Sequence, residues 1–170
     1  MYLSIIIISI LGTLFHFLYD ISNHNKIVGL FAAVNESTWE HIKIALTPTI
    51  IWSIYDGYIY GANPNYFTAK LSSLVILIVF IPTIFYLYKY FTDKPIIIVD
   101  ILIFYIAIIL SQISFYSIIK LQQIEFTINY LSCIGIFIIF GFYMVLTLLP
   151  IKSFIFKDPI TNKYGFKGHS

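Results

Sequence analysis

Arginine is absent from this 170-residue chain, and all ten of its cations are lysine. Without a guanidinium fork, bidentate capture of a phosphate or carboxylate is excluded. Cysteine occurs once, at Cys133 inside an apolar run, so no internal disulfide can form. The environment of that thiol predicts a buried small residue rather than a reactive one. Charge of both signs is scarce: 11% of the chain is charged, where a soluble domain carries about a quarter. The net charge of +2 is too small to steer a polyanion, which argues against a nucleic-acid partner. What is abundant is apolar surface, at 59% of all residues. This excludes a soluble globular domain and a disordered chain, and it makes the lipid bilayer the first partner.

Spanning hydrocarbon takes about 20 apolar residues. Five runs qualify, at about 1–21, 41–60, 69–91, 95–119 and 126–149. Their isoleucine content is no argument for strands, because a segment in lipid satisfies its own backbone as a helix. The predicted fold class is therefore all-α: a polytopic bundle of about five transmembrane helices over residues 1–150, followed by a lysine-rich tail over 151–170. The first run has no preceding lysine and no small-residue cleavage site after it, so it reads as a span and not as a signal peptide. Lys26, Lys43, Lys89, Lys94, Lys152, Lys157, Lys163 and Lys167 fall on one side and Lys70 and Lys120 on the other. The positive-inside rule then predicts an external N-terminus and a cytoplasmic tail in the cell membrane. Pro48 and Pro82 lie inside spans and predict kinks. Tyr58, Tyr60, Tyr86, Tyr88, Tyr90 and Tyr143 sit near run ends and read as interfacial belts.

The loop Ser22 to Glu40 is apolar in its middle, Ile27 to Val34. It either lies on the membrane surface or tucks back between helices, and the second option requires protein partners for its backbone.

Ionisable groups inside spans default to functional candidates. His16 and Asp20 are one turn apart on helix one and are placed to touch, as an ion pair or as two metal ligands. Ser37 and Glu40 form a capping-box pattern at the start of helix two. Glu40 and Lys43 make an i,i+3 pair, with Trp39 at the interface. Read as a helix, Glu36, Glu40 and Lys43 share one stripe, with Ser37 and His41 beside it. Asp100 lies near the start of helix four, which the topology brings to the same face. Asp56, at the far end of helix two, reads as an interfacial residue in preference to part of a path across the bundle. Histidine with carboxylate suits one divalent transition metal such as zinc. His16, Asp20 and His41 are the candidate ligands, with Glu36, Ser37, Glu40 and Asp100 as candidate catalytic groups. A two-metal carboxylate bundle is disfavoured, because its Glu-x-x-His spacing does not occur. In the tail, Asp158-Pro159 and Tyr164-Gly165 read as a turn that folds back onto this mouth, and His169 follows it.

Two resemblances rest on these residues. The segments His16 to Asp20, Val28 to Phe31, Val34 to His41 and Asp158 to Gly165 resemble a family of short bacterial membrane proteins of unknown function. That resemblance implies fold and location but no activity. The segment Asn35 to His41 is similar to a motif of the progestin/adiponectin-receptor and alkaline-ceramidase superfamily. It implies a zinc ligand at His41 and a polar partner at Ser37. The chain departs from that pattern in having five runs rather than seven, and no histidine in its last one. Three functions stay open: a structural or assembly role, a metal-dependent intramembrane hydrolase acting on a lipid, and a small proton-coupled transporter. A lipid or small-molecule ligand accompanies the second and third.

Overall fold

In a computed structural model the chain is all-helical; residues 1–92 and 94–168 are described, so Asp93 and His169 lie outside the described residues. Five long helices form the body: α1 (Tyr2–Ile21), α3 (Thr38–Tyr60), α4 (Tyr66–Thr92), α5 (Ile97–Ile119) and α6 (Phe126–Leu148). A single turn, α2 (Lys26–Gly29), sits in the first loop, and a 3-10 turn (Gly165–Gly168) ends the described tail. α1, α4, α5 and α6 are each long and apolar enough to cross a membrane. Their outward residues, such as Ile10, Leu14, Ile98, Phe137 and Phe142, are exposed and form a lipid-type surface.

α3 is different, because it carries Glu40, Lys43 and Asp56 and does not qualify on composition. It packs against α1, α4 and α5, while α4 also carries α6 on its other side. α3 is thus the polar helix of the bundle and is sheathed by apolar neighbours. Helical backbone runs through both Pro48 and Pro82. Pro48 has no N–H to give to the Ile44 carbonyl, and α1 closes on that place. A Cβ added to Gly12 would stand 2.8 Å from the Ile44 oxygen and 2.5 Å from Phe104 Cζ, so only glycine allows this approach. Cys133 is half-buried on α6 rather than fully buried.

The first loop tucks back between the helices. Ala32, Ala33 and Val34 are buried, and side chains satisfy the loop's backbone. Lys43 Nζ donates to the Gly29 carbonyl at 2.8 Å. Thr47 Oγ1 donates to the Phe31 carbonyl at 2.8 Å. The Val34 N–H donates to Glu40 Oε2 at 3.1 Å, and the Ala33 N–H to the Phe15 carbonyl at 3.1 Å. Tyr143, expected at an interface, is instead buried on α6 and hydrogen-bonds to Thr47. Its hydroxyl is used inside the bundle, so it has no reason to seek the headgroups.

At the centre, Lys43 and Glu40 pair at 2.5 Å with both side chains essentially out of contact with solvent. A second buried pair, Lys70 with Asp56 at 2.5 Å, joins α4 to α3 near the other end. Asp56 is therefore an interior residue and not an interfacial one. Lys43 and Lys70 are likewise structural cations and not loop charges. Removing one member of such a pair strands a buried charge. Lys43→Met is expected to lose about 3–5 kcal/mol of stability, and Lys43→Met combined with Glu40→Gln to recover much of it. Unfolding in detergent micelles measures both.

Candidate functional site

The loop that precedes α3 carries the site. Ser37 is the N-cap of α3, and its hydroxyl accepts from the Glu40 N–H at 3.4 Å. The reciprocal half of the expected capping box is missing. Glu40 turns inward to Lys43 and Val34, and Asn35 Oδ1 accepts the Ser37 N–H at 2.9 Å in its place. The pattern was read correctly at Ser37 and incorrectly at Glu40, because burial beside a lysine outweighs an exposed cap. Glu36 precedes the helix, which begins at Thr38. It therefore leaves the stripe of Glu40 and Lys43 and points toward the histidines.

His16 of α1 and His41 of α3 meet across Glu36. Their ring centroids are 5.8 Å apart. His16 Nε2 lies 3.9 Å from Glu36 Oε1, and His41 Nε2 lies 3.7 Å from Glu36 Oε2. Both spacings exceed a direct hydrogen bond. The other ring nitrogen of His41 is fixed: Nδ1 is 3.0 Å from the Ser37 carbonyl oxygen. A carbonyl only accepts, so Nδ1 carries the hydrogen. A neutral His41 then presents its Nε2 lone pair toward a carboxylate. His16 Nδ1 is buried with no hydrogen-bond partner among the described residues. Two acceptors facing each other repel, and a positive guest between them relieves that.

Asp20 acts electrostatically on His16, as the one-turn spacing predicts, and it also turns toward His24. Its Oδ1 is 3.4 Å from His24 Nε2. α1 ends at Ile21, and residues Asn23 and His24 both adopt positive φ. This turn brings His24 back beside the carboxylate. Asp20 nevertheless lines the same cavity as His16 and Glu36, a hollow of about 170 Å³ whose wall also includes Asn35, Asp158 and Thr161. Lysine is missing from that lining, so its charge is acidic apart from histidine. Among the described residues, no group of three His, Cys, Asp or Glu side chains is gathered closely enough to hold a metal ion as it stands.

Asp100 sits instead at the α4–α5 corner, where the Tyr88 hydroxyl donates to it. It is not among the residues that line the cavity. Ser37 and Glu40 are occupied in holding the loop. Of the sequence candidates, His16, Asp20 and Glu36 line the cavity, while His41 lies outside its lining and approaches Glu36.

The tail supplies a wall, folding back onto the mouth as its Asp158-Pro159 and Tyr164-Gly165 segments lead one to expect. Asp158 is buried and accepts from the Glu36 N–H at 3.3 Å, the Ile160 N–H at 3.4 Å and the Thr161 N–H at 2.7 Å. The Thr161 hydroxyl donates to it as well, at 2.5 Å. Asn35 Nδ2 donates to the Gly165 carbonyl at 2.9 Å, and the Trp39 N–H to the Ile155 carbonyl at 3.0 Å. Trp39 stacks near Phe156 at 4.8 Å, so it lies beneath the tail and not at a free interface. The four tail lysines stay exposed around this anchor. Beside that turn signal, an aspartate three residues before a threonine is a further local sign of such an anchor.

The family of unknown function DUF6512 matches residues 1–166. Neither a curated protein nor a solved structure matches the chain.

Asp158→Ala is expected to release the tail, because four donors lose their acceptor at an energy of about 1–3 kcal/mol. Limited proteolysis in detergent then cuts within 151–168 faster than in the wild type, and Trp39 emission shifts toward that of an exposed indole.

Proposed function

The chain belongs to that family of unknown function, and we propose that it is a multi-pass membrane protein that binds one divalent transition metal, such as zinc, through His16, His41 and Glu36. The observation that carries this reading is the fixed tautomer of His41. An imidazole that donates Nδ1–H to a backbone carbonyl and presents Nε2 to a carboxylate shared with a second imidazole is an arrangement that suits a metal-ligating histidine. Ligand atoms around a tetrahedral zinc are about 3.4 Å apart. The spacings of 3.7 and 3.9 Å therefore need only a small contraction. Glu36 can supply it, because its side chain is 45% exposed and stands outside the helix. Glu36 joins the set as the carboxylate that stands between the two imidazoles, and Asp20 lines the same cavity beside it.

The cavity leaves room for water beside the three ligands. A bound zinc acidifies such a water, which is the chemistry of a hydrolase. Its position at one end of a lipid-wrapped bundle favours the polar part of a lipid as substrate. An orientation with the tail in the cytoplasm is supported by lysine placement. Once Lys43 and Lys70 are set aside as buried partners, Lys26, Lys89, Lys94, Lys152, Lys157, Lys163 and Lys167 remain on the tail face against Lys120 on the other.

Elemental mass spectrometry on detergent-purified protein tests the metal. About one zinc, iron or manganese per chain is expected in the wild type, with loss in His16→Ala, His41→Ala and Glu36→Gln. A folded wild type that carries none overturns the reading. Metal without turnover of any membrane lipid would leave the binding site standing and remove the hydrolase.

A further inference from the structure

We propose that the folded tail over residues 151–168 is a membrane-interface anchor that gathers anionic phospholipid headgroups around the rim of the cavity. Such an anchor is independent of the metal site.

The exposed charge of the tail has one sign. Lys152, Lys157, Lys163 and Lys167 are all exposed. The carboxylate of the segment, Asp158, is buried and is spent on N–H groups and on the Thr161 hydroxyl. Among the lysines stand apolar side chains that are also exposed: Ile151, Phe154 and Ile160, at 57%, 66% and 73%. A polyanion in water leaves such side chains wet. The boundary between headgroups and acyl chains takes the lysines and the apolar groups together.

The tail lies at the depth of that boundary. It follows directly on α6, which ends at Leu148. The Phe154 ring meets Tyr86 of α4 edge-on, with centroids 4.9 Å apart. The Tyr86 hydroxyl donates to the Phe154 carbonyl at 3.4 Å. From Tyr66 to Tyr86, α4 rises about 30 Å, the thickness of the hydrocarbon. It continues to Thr92, for about 9 Å more. Phe154 therefore lies against the flank of α4, below its end and at the level where hydrocarbon gives way to headgroups.

The local fold pushes one turn outward. The Asp158 N–H donates to the Lys163 carbonyl at 2.9 Å, and the Asn162 N–H donates to the Asp158 carbonyl at 3.0 Å. Lys157 pairs with Tyr164 across the turn. Ile160 is left at the tip, with Lys157 and Lys163 on the two arms. An apolar tip between two ammonium groups suits a surface where phosphates lie above hydrocarbon. Ile160 and Thr161 also line the cavity, so the headgroups held here stand at its rim. Lysine is a point charge without the guanidinium fork, so this surface selects anionic charge and not headgroup shape.

The test places the full chain in nanodiscs of equal phosphatidylcholine and phosphatidylglycerol and counts the lipids retained on release by native mass spectrometry. Phosphatidylglycerol is expected to exceed phosphatidylcholine by at least about fivefold, the equivalent of roughly 1 kcal/mol for a single lysine near the surface. The ratio is expected to fall toward unity when Lys157→Gln and Lys163→Gln are combined, and to stay unchanged in Lys120→Gln on the opposite face. A nitroxide on Ile160→Cys, in a Cys133→Ser background, is expected to be reached by dissolved oxygen and shielded from a water-soluble nickel complex. A wild-type ratio near unity, or one that the double lysine variant leaves unchanged, overturns the headgroup surface. A label at residue 160 that is open to the nickel complex overturns the anchor and points to a partner in water. Both lysines are exposed, so the variant keeps its fold, and its metal content should equal that of the wild type. Failure of the anchor and failure of the metal reading are thus told apart.

Discussion

The architecture depends on one buried ammonium. Lys43 holds Glu40 at 2.5 Å and the Gly29 carbonyl at 2.8 Å, at a place where neither lipid nor water can substitute. Glu40 in turn holds the Val34 N–H. A non-helical stretch at membrane depth is tolerated only when protein satisfies its backbone. These two side chains, with Thr47, do that for the first loop. Everything at the tail face follows, because the same loop presents Asn35 and Glu36 to the cavity and receives the tail on its back. Gly29 adds a steric condition: a Cβ there would stand 2.5 Å from Phe166 and 2.9 Å from Tyr19. Loop, α1 and tail therefore close together as one unit.

Polar residues in this bundle divide by what they face. Glu40, Lys43, Thr47 and Tyr143 turn to backbone or to one another and leave no exposed face. His16, Glu36 and His41 are partly open, at 29%, 45% and 31%, and their closest polar approaches to one another are too long for direct hydrogen bonds. The first set makes a fold, and the second leaves chemistry undone. The unusual density of the Asn35 to Lys43 segment comes from carrying both sets in nine consecutive residues.

Hydropathy revealed four of the five long helices as spans, because length and apolar content are local properties, and counted α3 with them although its composition falls short. The convergence of His16 with Glu36 and His41 was legible from topology, since α1 ends where α3 begins. The contact of Asp20 with His24 was not, because only the turn after Ile21 brings His24 back beside the carboxylate. Glu36 was placed on a helical stripe by a spacing rule that does not apply before Thr38. The Lys70–Asp56 pair joins two helices, so no window along the chain contains the reason for it. Asp100 was grouped with the cavity by depth, whereas its position around the helix axis directs it to Tyr88.

The polarity of α3 also bears on how the protein is made. A segment with Glu40, Lys43 and Asp56 partitions poorly into lipid by itself. The lysine that neutralises Asp56 lies 14 residues further along the chain, so α3 has its full set of buried partners only once the start of α4 has been made.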